Sequence, residues 1–458
     1  MAKRPNIIFY FSDQQRWDTM GCYGQKLPVT PNLDRLAAEG TVFENAYTCQ
    51  PVCGPARACL QTGLYATQLG CWKNGIKLPL DIDTLARLFT AGGYRTAYIG
   101  KWHLASTHVR NDGASGKADT NEDFTIIPTP VERRGGYEYW LASDVLEFTS
   151  HGYDGHMFDG DGNKVEFTGH RVDCIGDFTV DYVRQVAESR AAGDDRPFFL
   201  MVSHIDPHHQ NDHNRYEGPY GSKRRFANYE VPGDLVGTKG DWRENYPDYL
   251  GSCNALDRNV QKLMDALEDF GMKDDTVLIY SSDHGSHFRT RNAEYKRCAE
   301  DSCLHVPMIA WGGDFLGRGR VPEMVSLIDI PSTLLDIGGI PIPEQYQSGS
   351  LIKLANGQAN DWPEAVFAQI SEAETGRCIR TKDYKYSVKA PVHDPKRGES
   401  DIYIEDKFYV LKDDPHERRN LVSDPKWAEP RAQLREILYS FLEKAGEKRP
   451  QILPKEQA

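Results

Sequence analysis

Four short apolar runs, each followed directly by polar residues, limit the folds that this chain can adopt. The runs are Asn6–Phe11, Thr96–Gly100, Pro197–Val202 and Thr276–Tyr280. Between them lie segments with helical periodicity, namely Pro31–Glu39, Thr84–Ala91, Ile175–Ala191 and Tyr249–Phe270. Buried strands that alternate with helices predict a mostly parallel sheet with helices on both faces. The expected fold class is therefore α/β.

The polar residues that follow the four runs predict a functional site. They are all able to bind metal ions, anions or protons: Asp13, Gln14, Lys101, His103, His204, His208, Asp283 and His284. In parallel α/β sheets, ligands gather beyond the carboxyl ends of the strands, so we expect these side chains to meet at one edge. Asp13 and Gln14 are adjacent, and both can reach the same ligand only if the chain turns after the first strand.

The segment from Cys49 to Gly63, CQPVCGPARACLQTG, predicts a loop that turns into a helix. Pro55 suits the first helical position, which places Cys53 at or near the N-cap. The free N–H groups and the positive end of the helix dipole would then favour an anion at Cys53. Arg57 follows Cys53 by four residues, so its guanidinium could reach back along the same helix face. The segment therefore predicts an anion site.

The length of 458 residues is sufficient for one large domain with a smaller companion. A Gly- and Pro-rich stretch, GGIPIPEQYQSG, begins soon after Leu335 and indicates the boundary. Short strand-like segments and an amphipathic helix over residues 428–445 come after it. We expect a catalytic domain over residues 1–345 and a C-terminal α+β subdomain with a small antiparallel sheet over residues 346–458.

Charge and hydropathy argue against two classes of partner. The formal net charge of −13 provides no basic field for a nucleic acid. No apolar run approaches the roughly 20 residues of a membrane span, and the first run is too short for a signal peptide. The sequence therefore predicts a cytoplasmic protein without nucleic-acid or membrane partners. Its ten cysteines are expected to be reduced thiols in that compartment.

Two long segments, residues 105–170 and 205–247, lack strong periodicity. The first is rich in Gly and Asp, and the second contains the basic trio Lys223–Arg225. Loops of this length in a compact domain are commonly functional, so we expect these segments to form walls or lids of the site.

The cysteine segment resembles the C-x-P-x-R…L-x-T-G signature of the formylglycine-dependent sulfatases, a family of the alkaline phosphatase superfamily. The phrase GKWH at residues 100–103 is similar to one of that family, as are RTKDYKY and FYVLKDDPHERRNL near the C-terminus. Two positions depart from the family, since Gly54 replaces the commoner Ser and Ala56 a frequent Ser or Thr. The resemblance implies an alkaline phosphatase-like fold, and a maturation enzyme that oxidises Cys53 to formylglycine.

One divalent cation is the cofactor that these residues favour. Asp13, Gln14 and Asp283 supply oxygen ligands typical of Ca²⁺ or Mg²⁺, and the imidazole of His284 widens the choice to Mn²⁺. The resemblance implies a single cation at this set, commonly calcium. Many family members have Asp in place of Gln14 and Asn in place of His284, so this chain brings less negative charge to the ion.

The resemblance also implies how the reaction proceeds. In the family, one hydroxyl of the hydrated formylglycine attacks sulfur and expels the alcohol, and the other then expels sulfate. By similarity, Lys101 and Lys296 bind sulfate, and His103 contacts the hydrate. The general acid follows the third strand, where His204 fits the family best and His208 is a rival. Arg57, by the same similarity, belongs to the sulfate subsite.

The substrate that these features indicate is a sulfated mono- or oligosaccharide. Arg289, Arg291 and the Lys223–Arg225 trio could bind a carboxylate or a second sulfate, which favours a uronic-acid-containing glycosaminoglycan fragment. Two alternatives stay open. One is a phosphonate or phosphate ester hydrolase of the same superfamily, to which the Asp-Gln and Asp-His ligands are suited. The other is a non-catalytic binder of sulfated ligands in which Cys53 stays unmodified.

Overall fold

The computed structural model describes residues 4–105 and 123–455, and the strands of these residues form two sheets. The larger sheet contains β1 Asn6–Ser12, β2 Thr41–Tyr47, β3 Arg95–Lys101, β4 Tyr139–Ser143, β5 Asp154–Phe158, β6 Lys164–Thr168, β7 Phe198–Ser203, β8 Thr276–Ser282, β9 Met308–Trp311 and β10 Gly319–Ser326. The smaller sheet contains β11 Ala365–Ile370, β12 Gly376–Thr381, β13 Tyr384–Lys389, β14 Ile402–Val410 and β15 Gln451–Leu453.

Helices connect most of these strands. They are α1 Pro31–Glu39, α2 Cys53–Thr62, α3 Ala66–Leu69, α4 Leu85–Ala91, α5 Arg171–Ala191, α6 Ser222–Arg225, α7 Trp242–Asp269, α8 Asp301–Leu304, α9 Asp329–Ile337, α10 Leu351–Ala355 and α11 Ala428–Lys444. Short 3-10 turns lie at Trp17–Thr19, Gly21–Tyr23, Val131–Arg133, Lys273–Asp275, Gly313–Phe315 and Pro425–Trp427. Within the described ranges, each helix is too short or too polar to cross a bilayer.

The four predicted strands are the centre of the larger sheet. The strand order is β10-β2-β9-β8-β1-β7-β3-β4-β5-β6. Strands β8, β1, β7, β3 and β4 run parallel, and β9, β5 and β6 pair antiparallel to their neighbours. The predicted α/β class with a mostly parallel sheet is therefore confirmed.

The register of the central strands brings their carboxyl ends into line. Ser12 at the end of β1 lies opposite Ser282 at the end of β8, and Ser203 at the end of β7 lies opposite Gly100. Gly100 has a φ of +111°, and a Cβ there would lie 2.0 Å from the carbonyl oxygen of Ser203, so only glycine allows this approach. The polar residues that follow these strands consequently start from one edge of the sheet.

Each face of the central sheet packs against its own set of helices. On β1, Ile7, Phe9 and Phe11 join a core that includes residues of α2, α4 and α9. Ile8 and Tyr10 join the opposite core with residues of α1, α5 and α7. Since successive side chains of a strand point to opposite faces, a strand covered on both faces has no solvent-facing position. This is why the central strands are continuous apolar runs in the sequence.

The smaller sheet has its own core beside the loop that precedes α2. Strands β11 to β14 pair antiparallel, and β15 adds to β14 in parallel. Leu434, Leu438 and Leu442 of α11 are spaced by one helical turn and share this core with Cys49 and Cys59. The predicted small sheet and terminal helix are both present.

The structure differs from the sequence predictions in three places. Helix α2 begins at Cys53, with Val52 as the N-cap, so Pro55 is the third helical residue and not the first. Residues 105–170 contain β4, β5 and β6 as well as loops, and the part of that predicted wall at 106–122 lies outside the described residues. Helix α7 begins earlier than predicted, at Trp242, so the last residues of the predicted long segment 205–247 are helical.

Candidate active site

Cys53 is a buried side chain in the lining of a cavity of about 310 Å³ at the carboxyl edge of the larger sheet. Its Sγ lies 2.7 Å from Lys296 Nζ and 3.2 Å from His284 Nε2. Asp13 Oδ1 is 3.5 Å away from the same sulfur. Cys53, the first residue of α2, therefore contacts Asp13 after β1 and His284 shortly after β8. It also contacts Lys296, which lies further along the segment that follows β8.

The charge around Cys53 favours an anion. Burial by itself raises the pKa of the Cys53 thiol, but Lys101, Lys296 and His284 outweigh burial and hold that pKa well below its ordinary value. A side-chain hydrogen bond with His103 acts in the same direction. The position that Cys53 occupies is thus built to stabilise negative charge.

The side chain of Asn74 lies against the first turn of α2. The backbone N–H of Gly54 donates to Asn74 Oδ1 at 2.9 Å, which uses one of the N–H groups that the sequence predicts to be free. A Cβ at Gly54 would lie 2.9 Å from the same oxygen, closer than real side chains approach. The N–H of Asn74 donates in turn to Glu372 of the C-terminal part of the chain at 2.6 Å. Glycine in place of the commoner Ser therefore lets Asn74 lie against the helix.

Two cations fix one oxygen of Asp13. Arg57 Nη2 and Lys101 Nζ donate to Asp13 Oδ2 at 3.0 and 2.7 Å. Arg57 also donates to Ser203 Oγ at 2.5 Å and lies 3.6 Å from Asp283 Oδ2. Arg57 therefore holds the buried carboxylates in place, whereas the sequence assigns it to the sulfate subsite. Carboxylates are the strongest acceptors near its guanidinium, which explains the difference.

The two carboxylates of this cluster respond differently to burial. Burial and the neighbouring charge of Asp13 raise the pKa of Asp283 to about 7. Burial opposes ionisation of Asp13 as well, but Lys101 and other cations hold its pKa well below the ordinary value. Two acidic groups in one buried space, with the pKa of one raised by the charge of the other, indicate a site where a further positive charge would stabilise both carboxylates.

Gln14 lines the same cavity because the chain turns after β1. Its φ of +70° breaks the extended backbone, as the proposed joint role of Asp13 and Gln14 requires. Gln14 Nε2 donates to Tyr216 Oη at 3.0 Å and to Ser286 Oγ at 3.3 Å. These two hydroxyls hold the amide nitrogen, and Oε1 accepts from the backbone N–H of His209 at 3.4 Å, which leaves a second lone pair on that oxygen.

The residues present fit a divalent cation. Donor atoms of Asp13, Cys53, Asp283 and His284 all lie within 4.8 Å of one another. His284 Nδ1 donates to the carbonyl of Gly285 at 2.9 Å, which leaves the lone pair of Nε2 for an ion. Asp283 Oδ2 is buried and accepts no hydrogen bond from any described residue. A buried carboxylate oxygen that has an ion-pair contact with Arg57 at 3.6 Å but no hydrogen bond, beside an imidazole with a free lone pair, is suited to a cation.

Lys296 and His208 form the opposite side of the cavity. Lys296 Nζ lies 3.1 Å from His208 Nε2 and 2.7 Å from Cys53 Sγ. His208 Nδ1 donates to the backbone carbonyl of His209 at 2.6 Å, so Nε2 is the nitrogen that faces Lys296. The cavity thus has a lysine–histidine pair next to Cys53.

His204 is buried away from this cavity, although the sequence favours it as the general acid. Its Nε2 lies 2.7 Å from Tyr10 Oη, in the core that packs against α1, α5 and α7. Burial lowers the pKa of His204 to about 3. His204 is a core histidine that is neutral at physiological pH, and His208 is the one that lines the cavity.

The basic residues expected around the pocket lie elsewhere. The guanidinium of Arg289 stacks on the ring of Tyr295 at 4.5 Å, and Arg291 donates to the backbone carbonyls of residues 416 and 417. Neither arginine lines the cavity. The Lys223–Arg225 trio forms α6, and Lys223 lines a second cavity. Arg291 instead ties the catalytic edge to the C-terminal part of the chain.

Several lining residues are missed by the sequence patterns. They come from loops without periodicity, and they are Asn74, Val145, Glu147, Phe148, His209, Asn211, Glu294, Tyr295 and Arg297. Three of them, His209, Tyr295 and Arg297, are neighbours in sequence of His208 and Lys296 and could have been suspected for that reason. The others reach the cavity only through contacts between distant segments.

The chain matches known families over most of its length. A family model described as Sulfatase matches residues 5–340, and one described as N-sulphoglucosamine sulphohydrolase, C-terminal, matches residues 294–444. The chain is 30% identical to an ulvan-active sulfatase of Formosa agariphila, over 93% of this chain and 78% of that protein. It is 25% identical to an N-acetylglucosamine-6-O-sulfatase of Bacteroides thetaiotaomicron, over 95% and 86% of the two chains.

Solved structures share the fold. A crystal structure described as that of the sulfatase yidJ from Bacteroides fragilis superposes with a TM-score of 0.81 at 26% identity, covering 97% of this chain and 96% of the other. A phosphonate monoester hydrolase of Agrobacterium radiobacter superposes with a TM-score of 0.71 at 21% identity, covering 96% of each chain, and shows the fold alone. Together with the family matches and the cluster around Cys53, these findings show that the chain belongs to the sulfatase family of the alkaline phosphatase superfamily and is a sulfuric ester hydrolase.

Proposed function

We propose that this chain hydrolyses a sulfate monoester carried by a saccharide, with a hydroxyl of the hydrated formylglycine made from Cys53 as the group that attacks sulfur. The observation that carries the proposal is the buried Cys53 at a helix N-terminus, with Lys296 Nζ at 2.7 Å and His284 Nε2 at 3.2 Å. Fixed positive groups at this point would stabilise the charge that develops on a sulfuryl group. Conversion of Cys53 requires a maturation enzyme as a partner. Release of inorganic sulfate from a sulfated sugar tests the proposal.

Asp13, Gln14, Asp283 and His284 would hold one divalent cation, with Ca²⁺ as the first assignment and Mg²⁺ or Mn²⁺ as alternatives. When bound, such an ion supplies charge that lowers the pKa of a nearby hydroxyl and polarises a sulfate oxygen. The salt bridges of Asp13 Oδ2 direct its other oxygen toward His284 and Cys53. Arg57 and Lys101 thus orient the carboxylate of Asp13 for a cation, although neither would bind the cation itself.

The remaining cavity residues bind the sulfate and move protons. Lys101 and Lys296 place ammonium groups beside the nucleophile position, where they attract sulfate oxygens. His103 hydrogen-bonds with the Cys53 side chain and is placed to accept a proton from the group formed there. Asn74 fixes the start of α2 and so the direction in which residue 53 points.

We assign protonation of the leaving alcohol to His208. His208 lines the cavity, whereas His204 does not, and His208 Nε2 lies 3.1 Å from Lys296 Nζ. Burial and the nearby Lys296 lower the pKa of His208, which makes its protonated form a stronger acid. An alcohol of a sugar is a poor leaving group and needs such a proton.

The His208→Ala variant should lose turnover of a sugar sulfate by about 10² to 10⁴, the range of general acid catalysis. Turnover of 4-nitrophenyl sulfate should fall much less, because its phenolate leaves without a proton. Initial rates on both substrates give the ratio that decides the assignment. His204→Gln is the matched control, since it keeps a polar partner for Tyr10 and should leave the ratio unchanged. Equal losses on both substrates in His208→Ala would remove His208 from this role.

Saccharide substrates are supported by relatives named for ulvan and for N-acetylglucosamine 6-O-sulfate. The structure weakens the narrower expectation of a uronic acid. That expectation depends on Arg289, Arg291 and the Lys223–Arg225 trio, and none of these lines the cavity. Arg297, which does line it, is paired with Glu294 and Glu372. We therefore propose a sulfated sugar without requiring a carboxylate on it.

A phosphonate ester is the second candidate substrate. Gln14 and His284 stand where sulfatases commonly have Asp and Asn, and a phosphonate monoester hydrolase shares this fold. We expect kcat/KM for a sulfated sugar to exceed that for a phenyl phosphonate by at least tenfold, roughly 1.4 kcal/mol in transition-state binding. Simple aryl sulfates should be slow substitutes. The panel should include sulfated disaccharides, aryl and steroid sulfates and the phosphonate; a tenfold lead of the phosphonate would favour the second candidate.

A further inference from the structure

A second cavity of about 480 Å³ lies beside the catalytic one, and two chain segments, residues 145–154 and 208–221, contribute to the lining of both. Each segment folds back on itself, through a bridge between Ser150 and Gly155 in one and between Gln210 and Arg215 in the other. The early residues of both segments line the catalytic cavity, and the later residues line the second one. Phe148 and His151 belong to different cavities but are three residues apart, so their Cα atoms are at most about 10 Å apart.

Contacts between the two segments hold this arrangement together. His151 Nε2 lies 2.8 Å from Asp212 Oδ2, and the N–H of Gly152 donates to Glu217 Oε2 at 2.9 Å. The carboxylate of Glu147 accepts from both the backbone and the side-chain amide of Asn211 at the catalytic end. The wall between the two cavities is therefore a packed, hydrogen-bonded unit.

An aromatic platform forms part of the second cavity. Tyr220 is 88% exposed, although its ring stacks on that of Tyr153 with centroids 4.1 Å apart and planes at 17°. The backbone N–H of Tyr220 donates to Tyr153 Oη at 2.5 Å, which fixes the pair. A rigid tyrosine face that stays in water is suited to the C–H face of a sugar ring, whose hydrogens meet the negative face of the aromatic ring.

Both cations around the platform are paired with carboxylates. Arg215 pairs with Glu217 at 3.0 Å, and Lys223 pairs with Asp248 at 3.6 Å. Cations that already have carboxylate partners do not provide a strong anion site, but the pairs still offer donors and acceptors side by side. Such groups suit the hydroxyls of a neutral sugar better than a second sulfate.

We infer that the second cavity is a distal subsite, which binds an unsulfated ring of the same oligosaccharide whose sulfated ring occupies the catalytic cavity. This inference rests on the proposed function and deepens it, because it makes an oligosaccharide the preferred substrate over a monosaccharide. Binding of the distal ring lowers KM and adds nothing to the chemistry at residue 53.

The test compares two lengths of one substrate in variants of Tyr220. For a tetrasaccharide that ends in 6-O-sulfated N-acetylglucosamine, Tyr220→Ala should lower kcat/KM on the order of tenfold through KM. For the sulfated monosaccharide the same variant should match the unchanged protein. Tyr220→Trp keeps an aromatic face and should retain the preference for length. Because the side chain is exposed, the alanine variant should fold normally, which a thermal melt checks.

Calorimetry separates this inference from the proposed reaction. Cys53→Ala protein should bind the tetrasaccharide more tightly than the monosaccharide, and Tyr220→Ala in the same background should abolish the difference. This result supports the subsite even where no sulfate is released from either sugar. Equal affinity for the two sugars, or a tetrasaccharide preference that survives Tyr220→Ala, would overturn it. An equal loss on both sugars would also overturn it, since it would indicate a structural role for Tyr220.

Discussion

The Cys53→Ala variant is expected to lose turnover by at least about 10⁴, while it keeps its fold and its capacity to bind a cation. Cys53 alone combines the signature position with a place in the cavity beside Lys296. Removing its sulfur leaves a small void and removes the atom from which the proposed nucleophile is made. The measurements are sulfate release and the intact mass of the peptide spanning residues 48–64. That mass should show loss of the thiol in the active, unsubstituted protein.

Two neighbouring cysteines provide the controls. Cys49 and Cys59 are buried in the core beneath the smaller sheet, so Cys49→Ala and Cys59→Ala should cost some stability and keep most activity. Full activity in a verified Cys53→Ala protein would falsify the catalytic assignment. Activity in a protein whose Cys53 peptide has the unmodified mass would retain the site but remove formylglycine from the proposal.

Replacing Asp13 or Asp283 by Asn should reduce both bound cation and kcat/KM by about 10³ or more, because each change removes a charged ligand. The two variants should differ in stability. Asp13→Asn leaves Arg57 and Lys101 buried without their carboxylate partner, which typically costs about 3–5 kcal/mol, the upper end for a single substitution. Asp283→Asn instead introduces a neutral amide that resembles the protonated acid, and burial and Asp13 already raise the share of that form by raising the pKa of Asp283 to about 7. Asp283→Asn should therefore bind no cation and still melt close to the unsubstituted, ion-free protein.

The cation is measured by elemental analysis and the stability by thermal unfolding, with and without added Ca²⁺. Gln14→Asp is the matched control, since it restores the commoner ligand of the family and should be tolerated. If chelation with a verified loss of metal leaves the rate unchanged, the metal assignment fails. If Asp283→Asn keeps a full complement of cation, the ligand set is wrong even if a cation is needed.

Much of the fold could be predicted because its signals are local. A strand covered on both faces must be apolar at every position, so β1, β3, β7 and β8 are visible as uninterrupted runs. Parallel pairing then places the residues after each strand at one edge, which brings Asp13, Lys101 and Asp283 together without knowledge of any contact. The spacing of Cys53, Pro55 and Arg57 on one helix is likewise fixed by a few consecutive residues.

The direction of each side chain depended on contacts between distant segments. His204 and His208 follow the same strand, but packing of His204 against Tyr10 turns it into the core, and only His208 reaches Lys296. Cys53 and Lys296 are 243 residues apart in sequence and 2.7 Å apart in the cavity. No local pattern encodes such a pair.

The sequence by itself determined the four central strands of the sheet, which edge carries the site and which residue is the candidate nucleophile. Tertiary structure alone decided that Arg57 serves the carboxylates, that Arg291 braces the C-terminal part of the chain, and that two hairpin segments build a second cavity. The physical reason is that strand and helix formation follow from the burial and spacing of neighbouring residues. A buried charge instead takes whichever partner the folded chain brings within hydrogen-bond reach, and that partner can lie anywhere in the sequence.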